Sequence, residues 1–229
     1  MNIRKTKFMN RSGFLFISIF LIIFHSTKGQ NSSTQPLVSG WERIYIKDMG
    51  SFDIPPTMEI QKGNYREYLD HINKVKGFDV NHITAQQKGL NEMSNSGFQK
   101  YARIIFETSI GKAGDYGDLN FDISQVSEAD LDEVNHFFKT QIIESLSLIG
   151  NKLIKWNPVK FKKINNMTCI NLSYIRQLKD GPHVMVEIYN FHNNDRIHTL
   201  TLSYRIEESD YWKKDFETTL KSLKINNIR

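Results

Sequence analysis

MTCINLSYIRQLKDGPHVMVEIYNFHNNDRIHTLTLSYRI, residues 167–206, decides the fold. Three runs rich in β-branched, aromatic and aliphatic residues, Met167 to Leu178, His183 to Phe191 and Ile197 to Ile206, are separated by Asp180-Gly181 and Asn193-Asn194-Asp195, and Asn165-Asn166 stands before the first. These short polar breaks are turn formers, so the spacing predicts an antiparallel meander, with a further strand near Phe161 to Ile164 leading in. In the middle run Val184, Val186 and Ile188 point one way and Met185, Tyr189 and Phe191 the other, because side chains alternate along a strand. A strand that is apolar on both faces is buried on both faces, and the sheet therefore needs cover on each side.

Two helices are placed to supply it. Ser127 caps a helix from Glu128 to Ile149, with Asp130 at its third position and Gly150 ending it. Leu131, Val134, Phe138, Ile142, Ser145 and Ile149 form one face, widened by Phe137, Leu146 and Leu148. A second helix is expected from Asp210 to Leu223, with Trp212, Phe216, Leu220 and Leu223 on one side. Upstream, WERIYIKD and SFDIPPTMEIQ read as a hairpin around Met49-Gly50-Ser51, Pro55 and Pro56 confining the second strand to an edge or a bulge. Asn64 followed by Glu67 resembles a capping box for a short surface helix up to Gly77. HITAQQKGL and FQKYARIIFETSI make a second antiparallel pair. The fold class expected is α+β, a mainly antiparallel sheet sandwiched between helices, with no internal repeat.

The N-terminus reads as a signal peptide over residues 1–29. Arg4, Lys5, Lys7 and Arg11 precede the eleven-residue apolar run Phe14 to Phe24, and Thr27 and Gly29 suit a cut before Gln30. A bilayer-spanning helix needs about 20 such residues, so no stable membrane anchor is expected after cleavage. Residues 30–40 read as a flexible lead and 41–229 as one domain. The precursor carries a formal charge of +5. Losing Arg4, Lys5, Lys7, Arg11 and Lys28 leaves 25 basic and 25 acidic side chains. That balance gives no support for nucleic-acid or anionic-membrane binding. The expected location is exported, periplasmic or extracellular. Cys169 has no second cysteine to pair with, and it reads as a small buried hydrophobe.

The order of elements, with the Pro-containing strand FDIPPTMEI, the long helix, the meander and a Trp-bearing terminal helix closing in KSLKI, resembles the PsbP-like and Mog1-like α/β/α sandwich. It also resembles uncharacterised secreted proteins of Bacteroidetes that share this outline. The resemblance covers roughly residues 41 to 225 and implies an accessory or binding module. It brings no catalytic or ligand residues to this chain.

Several constellations bear on chemistry. Gly111-Lys112-Ala113-Gly114 lacks the earlier Gly and the following Ser or Thr of a phosphate loop. Asp115, Asp118, Asn120 and Asp122 place oxygens at alternate positions, a candidate calcium site, although the interleaved Leu119, Phe121 and Ile123 also fit a half-buried edge with a solvated side. The histidines lack zinc-ligand spacing, and pairing Phe191 with His198 would put His192 and His198 on opposite faces. No Gly-x-Ser-x-Gly elbow is present. Tyr101 with Arg103 and Tyr174 with Arg176 share a face at two-residue spacing, and Tyr204 adjoins Arg205. If the strands are neighbours, these make an Arg and Tyr patch able to grip a carboxylate or stack on a sugar; the plainer reading pairs the arginines with Glu107, Glu187 or Glu207. The function expected is an exported non-enzymatic binding or accessory module for a protein, a glycan or a small anionic ligand, with no cofactor. The alternatives are a small exported hydrolase with a dispersed site and a calcium-stabilised structural domain.

Overall fold

A computed structural model describes residues 36–46, 49–63, 66–67, 82–117, 119 and 126–226, all within the unit Ser33–Arg229. The expected signal segment and most of the expected helix from Asn64 to Gly77 lie outside the described residues; Arg66 and Glu67 are helical. Among the described residues the strands are β1 (Glu42–Ile46), β2 (Gly50–Ile54), β3 (Met58–Ile60), β4 (His82–Gln87) and β5 (Ala102–Ile110). They continue with β6 (Asn151–Ile164), β7 (Met167–Leu178), β8 (His183–Asn193), β9 (Arg196–Arg205) and β10 (Lys224–Ile225). The helices are α1 (Glu128–Leu148) and α2 (Ser209–Ser222). The fold is α+β. A seven-stranded sheet runs in the order β3-β4-β5-β9-β8-β7-β6 and a three-stranded sheet in the order β1-β2-β10, every pairing antiparallel.

The meander forms as its alternation requires. Val184 and Val186 of β8 join Tyr174 and Leu146 on one face, while Tyr189 and Phe191 enter a larger core on the other with Phe52, Ile104, Leu202, Trp212 and Phe216. The turns are carried by the left-handed residues Asn165, Asn166, Lys179 and Asn194. Between β7 and β8 the left-handed position therefore falls on Lys179, one residue before the Asp180-Gly181 pair.

α1 begins as expected: the Ser127 hydroxyl accepts from Asp130 N at 3.1 Å and donates to Asp130 Oδ2 at 2.7 Å. Its contact stripe is narrower than the sequence predicts. Val134, Phe138, Ile142 and Leu146 meet the sheet, whereas Phe137 is 58% exposed and Leu148 80%. At 100° per residue those two lie roughly 120° around the axis from the contact line.

The hairpin also differs. SFDIPPTMEIQ makes two strands rather than one: β2 pairs with β1 and β10 in the small sheet, while β3 pairs with β4 at an edge of the large one. Pro55 and Pro56 lack the N–H a ladder needs, and the chain passes from one sheet to the other across them. β6 is longer than predicted, 14 residues with two register shifts around Ile154 and Pro158.

Asp53 of β2, 0% exposed, ties these layers together. Its carboxylate accepts from Arg43 Nε at 2.7 Å, Arg43 Nη2 at 3.0 Å and Leu37 N at 2.7 Å. Its backbone N–H donates to Ser222 Oγ at 2.7 Å and its carbonyl accepts from Thr219 Oγ1 at 2.9 Å. A buried carboxylate is tolerated where its lone pairs are filled in this way.

Candidate functional site

The register of the large sheet decides which of the Tyr and Arg residues meet. Arg103 of β5 pairs with Ser203 of β9, Ser203 with Val186 of β8, and Val186 with Tyr174 of β7. Opposed residues share a face, so Arg103 and Tyr174 are on the same side with two strands between them. Arg205, Val184 and Arg176 form the adjacent row. The two Tyr-Arg pairs thus do not sit on neighbouring strands.

Tyr101 closes the gap. It precedes β5, its N–H donates to Glu208 Oε2 at 2.9 Å, and its carbonyl accepts from Arg205 N at 3.4 Å. Its phenol accepts from Arg176 Nη2 at 3.1 Å and lies 3.3 Å from Ser203 Oγ. Arg176 Nη1 also donates to Asn151 Oδ1 at 2.7 Å. On the other side the Arg103 guanidinium carbon lies 5.1 Å from the Tyr101 ring centroid, within cation-π range. Arg103 Nη1 also donates to the Ala102 carbonyl at 2.8 Å and to the Gln87 side chain. Tyr174 is buried, stacked on Trp156 at 6.3 Å between centroids. Burial pushes its phenol up to about 12, with Arg176 opposing, so it stays protonated at neutral pH.

The structure therefore gathers Tyr101, Arg103, Tyr174 and Arg176 at one end of one face. Arg205 is turned to a carboxylate, donating to Glu208 Oε1 at 3.4 Å and to the Gln99 carbonyl at 3.0 Å. Glu208 was missed by sequence reasoning as the organiser of this corner; it also accepts from Trp212 Nε1 at 3.2 Å. Glu187 lies on the opposite face, where it accepts from the Tyr189 hydroxyl at 3.3 Å.

Of the candidate calcium ligands, Asp118, Asn120 and Asp122 lie outside the described residues. Asp115 Oδ2 accepts from Lys112 N at 2.7 Å inside a turn closed by Asp115 N on the Lys112 carbonyl. Among the described residues no group of three His, Cys, Asp or Glu side chains is placed to hold a metal ion.

Phe191 does pair with His198, and the two imidazoles fall on opposite faces. His198 is enclosed, its Nδ1 2.8 Å from Thr108 Oγ1 and its Nε2 3.2 Å from Asn193 Nδ2. His192 meets the Gly117 carbonyl at 3.2 Å. Cys169 is buried, and burial pushes its thiol up to about 11, well above the range of a reactive thiolate.

No family model and no curated protein matches the chain. The structure is similar to the solution structure of CyanoP, the PsbP protein of Synechocystis sp. PCC 6803. That likeness has 13% identity and a TM-score of 0.49, and covers 86% of this chain and 98% of that one. It is similar also to a crystal structure from Bacteroides thetaiotaomicron VPI-5482, 9% identical with a TM-score of 0.41, over 77% of this chain and 44% of the other. A third is PA94 of Pseudomonas aeruginosa, a protein of unknown function, 12% identical with a TM-score of 0.36, over 81% of this chain and 97% of that one. At these identities and TM-scores the likenesses assign this chain no family and no residue a role.

Proposed function

We propose that this chain is an exported, non-enzymatic binding module that seats a small anionic group, a carboxylate or an acidic sugar, against the cluster around Tyr101. The observation that carries the reading is the position of Tyr101 between two guanidinium groups, Arg176 on its hydroxyl at 3.1 Å and Arg103 over its ring at 5.1 Å. Two planar cations fixed about one aromatic ring offer forked donors to a carboxylate and a flat face to a sugar ring. A neutral mature chain gains no general attraction for anions, so affinity must come from such a local concentration of positive charge.

The test is titration of the chain lacking residues 1–29 with glucuronate and with citrate, followed by calorimetry. Saturable binding is expected, and Arg103→Gln and Arg176→Gln each weaken it at least tenfold while circular dichroism stays unchanged. Binding of neither anion, or equal affinity in both variants, overturns the reading. N-terminal sequencing of protein recovered outside the cytoplasm is expected to begin at Gln30; an intact Met1 there would count against export by cleavage.

A further inference from the structure

On the opposite face of the large sheet, α2 leans over β8 and β9 and leaves a groove of about 230 Å³. Its apolar walls are the rings of Tyr189, Tyr204 and Phe216, the last two in edge contact at 5.7 Å between centroids. Lys162 of β6 and Glu187 of β8 rise from the sheet, and Lys213 and Glu217 come from α2. Those four charges are two of each sign, so a simple anion or cation meets repulsion as well as attraction. Among the described residues none of the four forms an ion pair, and all four line the groove beside its apolar residues. Glu187 is held in place by the Tyr189 hydroxyl at 3.3 Å, and the Lys162 ammonium lies 5.4 Å from the centroid of the same ring. Burial raises the Tyr204 phenol, and Glu187 and Glu217 add to it.

A water molecule occupies about 30 Å³ in the liquid, so this space takes a ligand of about eight heavy atoms, below the 300 Å³ at which drug-sized pockets begin. We infer that the groove between α2 and the sheet binds a small zwitterion with an apolar side chain, of the free amino-acid class. Its ammonium group lies against Glu187 and Glu217, its carboxylate against Lys162 and Lys213, and its side chain on Phe216. Such a ligand satisfies both signs at once and bridges charges the protein leaves apart; an ion of either sign satisfies half of them. The groove lies across the sheet from the Tyr101 cluster and does not depend on it.

The test is NMR of the chain lacking residues 1–29, with the aromatic resonances of Tyr189, Tyr204 and Phe216 followed during titration. L-leucine is expected to shift them saturably, while leucinamide, which lacks the negative charge, and 4-methylpentanoate, which lacks the positive one, bind at least tenfold more weakly. Glu187→Gln and Lys213→Gln are each expected to lower leucine affinity at least tenfold. Lys213 is solvent-exposed on α2, so its variant folds and keeps the measurement decisive. Absence of any leucine-dependent shift, or equal binding of leucinamide or 4-methylpentanoate, overturns the inference. Glucuronate binding at Arg103 and Arg176 stays unchanged in either variant, which separates failure here from failure at the other face.

Discussion

His198 is held neutral by its surroundings. Asn193 Nδ2 donates to Nε2, so the ring proton sits on Nδ1 and is given to Thr108 Oγ1, whose own proton goes to Met49 Sδ at 3.1 Å. Burial, with Arg196 adding to it and Asp195 opposing, lowers the imidazole to about 4 from its ordinary 6.5. An unfolded chain takes up a proton near pH 6.5 and the folded one does not until about pH 4. Stability is therefore full above pH 6.5 and is lost as pH falls between those values, by about 3 kcal/mol at most. Melting curves are expected to show Tm declining through this interval and His198→Gln to flatten that part of the decline; an unchanged slope in the variant would refute the assignment. At this scale the sequence was partly legible. Two-residue spacing put Tyr101 beside Arg103, but the meeting with Arg176 needed the order of four strands. Asp53 gave no sign of its role, because its partners Arg43, Thr219 and Ser222 lie 10, 166 and 169 residues away.

Among the elements, the turn between β6 and β7 shows how one residue serves two purposes. Asn165 and Asn166 both take left-handed backbone, φ 48° and 66°. The Asn165 amide also donates to the carbonyls of Lys221 at 2.9 Å and Leu223 at 2.7 Å, capping the open end of α2. Glycine satisfies the backbone at either place but supplies no amide. Asn166→Gly is expected to leave stability unchanged or raise it by under about 1 kcal/mol, and Asn165→Gly to lower it by about 1–2 kcal/mol. Urea denaturation of the two variants separates them, and equal midpoints would contradict the capping role. β7, β8 and β9 were legible because their alternation and turn residues agree. β6 was visible only at its end, since Lys152, Lys155, Lys160 and Pro158 look like loop residues. On the outer strand of a sheet those same residues block pairing with another molecule, so they belong to the strand without matching its usual composition.

For the molecule as a whole, the layered α+β plan follows from β8 being apolar on both faces, and the sequence carried that much. Of the second, three-stranded sheet only the β1–β2 hairpin was legible: β10 spans two residues and is joined to β2 across nearly the whole described chain. Gly50 marks the join. A Cβ there would lie 1.9 Å from the Lys224 carbonyl oxygen, and φ is +153°. Gly50→Ala is expected to cost more than about 2 kcal/mol. It should also strip hydrogen-exchange protection from Ile225 and from Asn226, whose N–H donates to the Met49 carbonyl at 2.7 Å. Retained protection would show that the small sheet tolerates the extra atom.

The pairing of β10 with β2 also sets a timetable for biosynthesis. A growing polypeptide carries β1 and β2 well before their third partner, because everything from β3 to β9 is translated between β2 and β10. The N-terminal hairpin must wait unfinished while everything between is made, and a nascent chain stalled before Lys224 has no way to complete it.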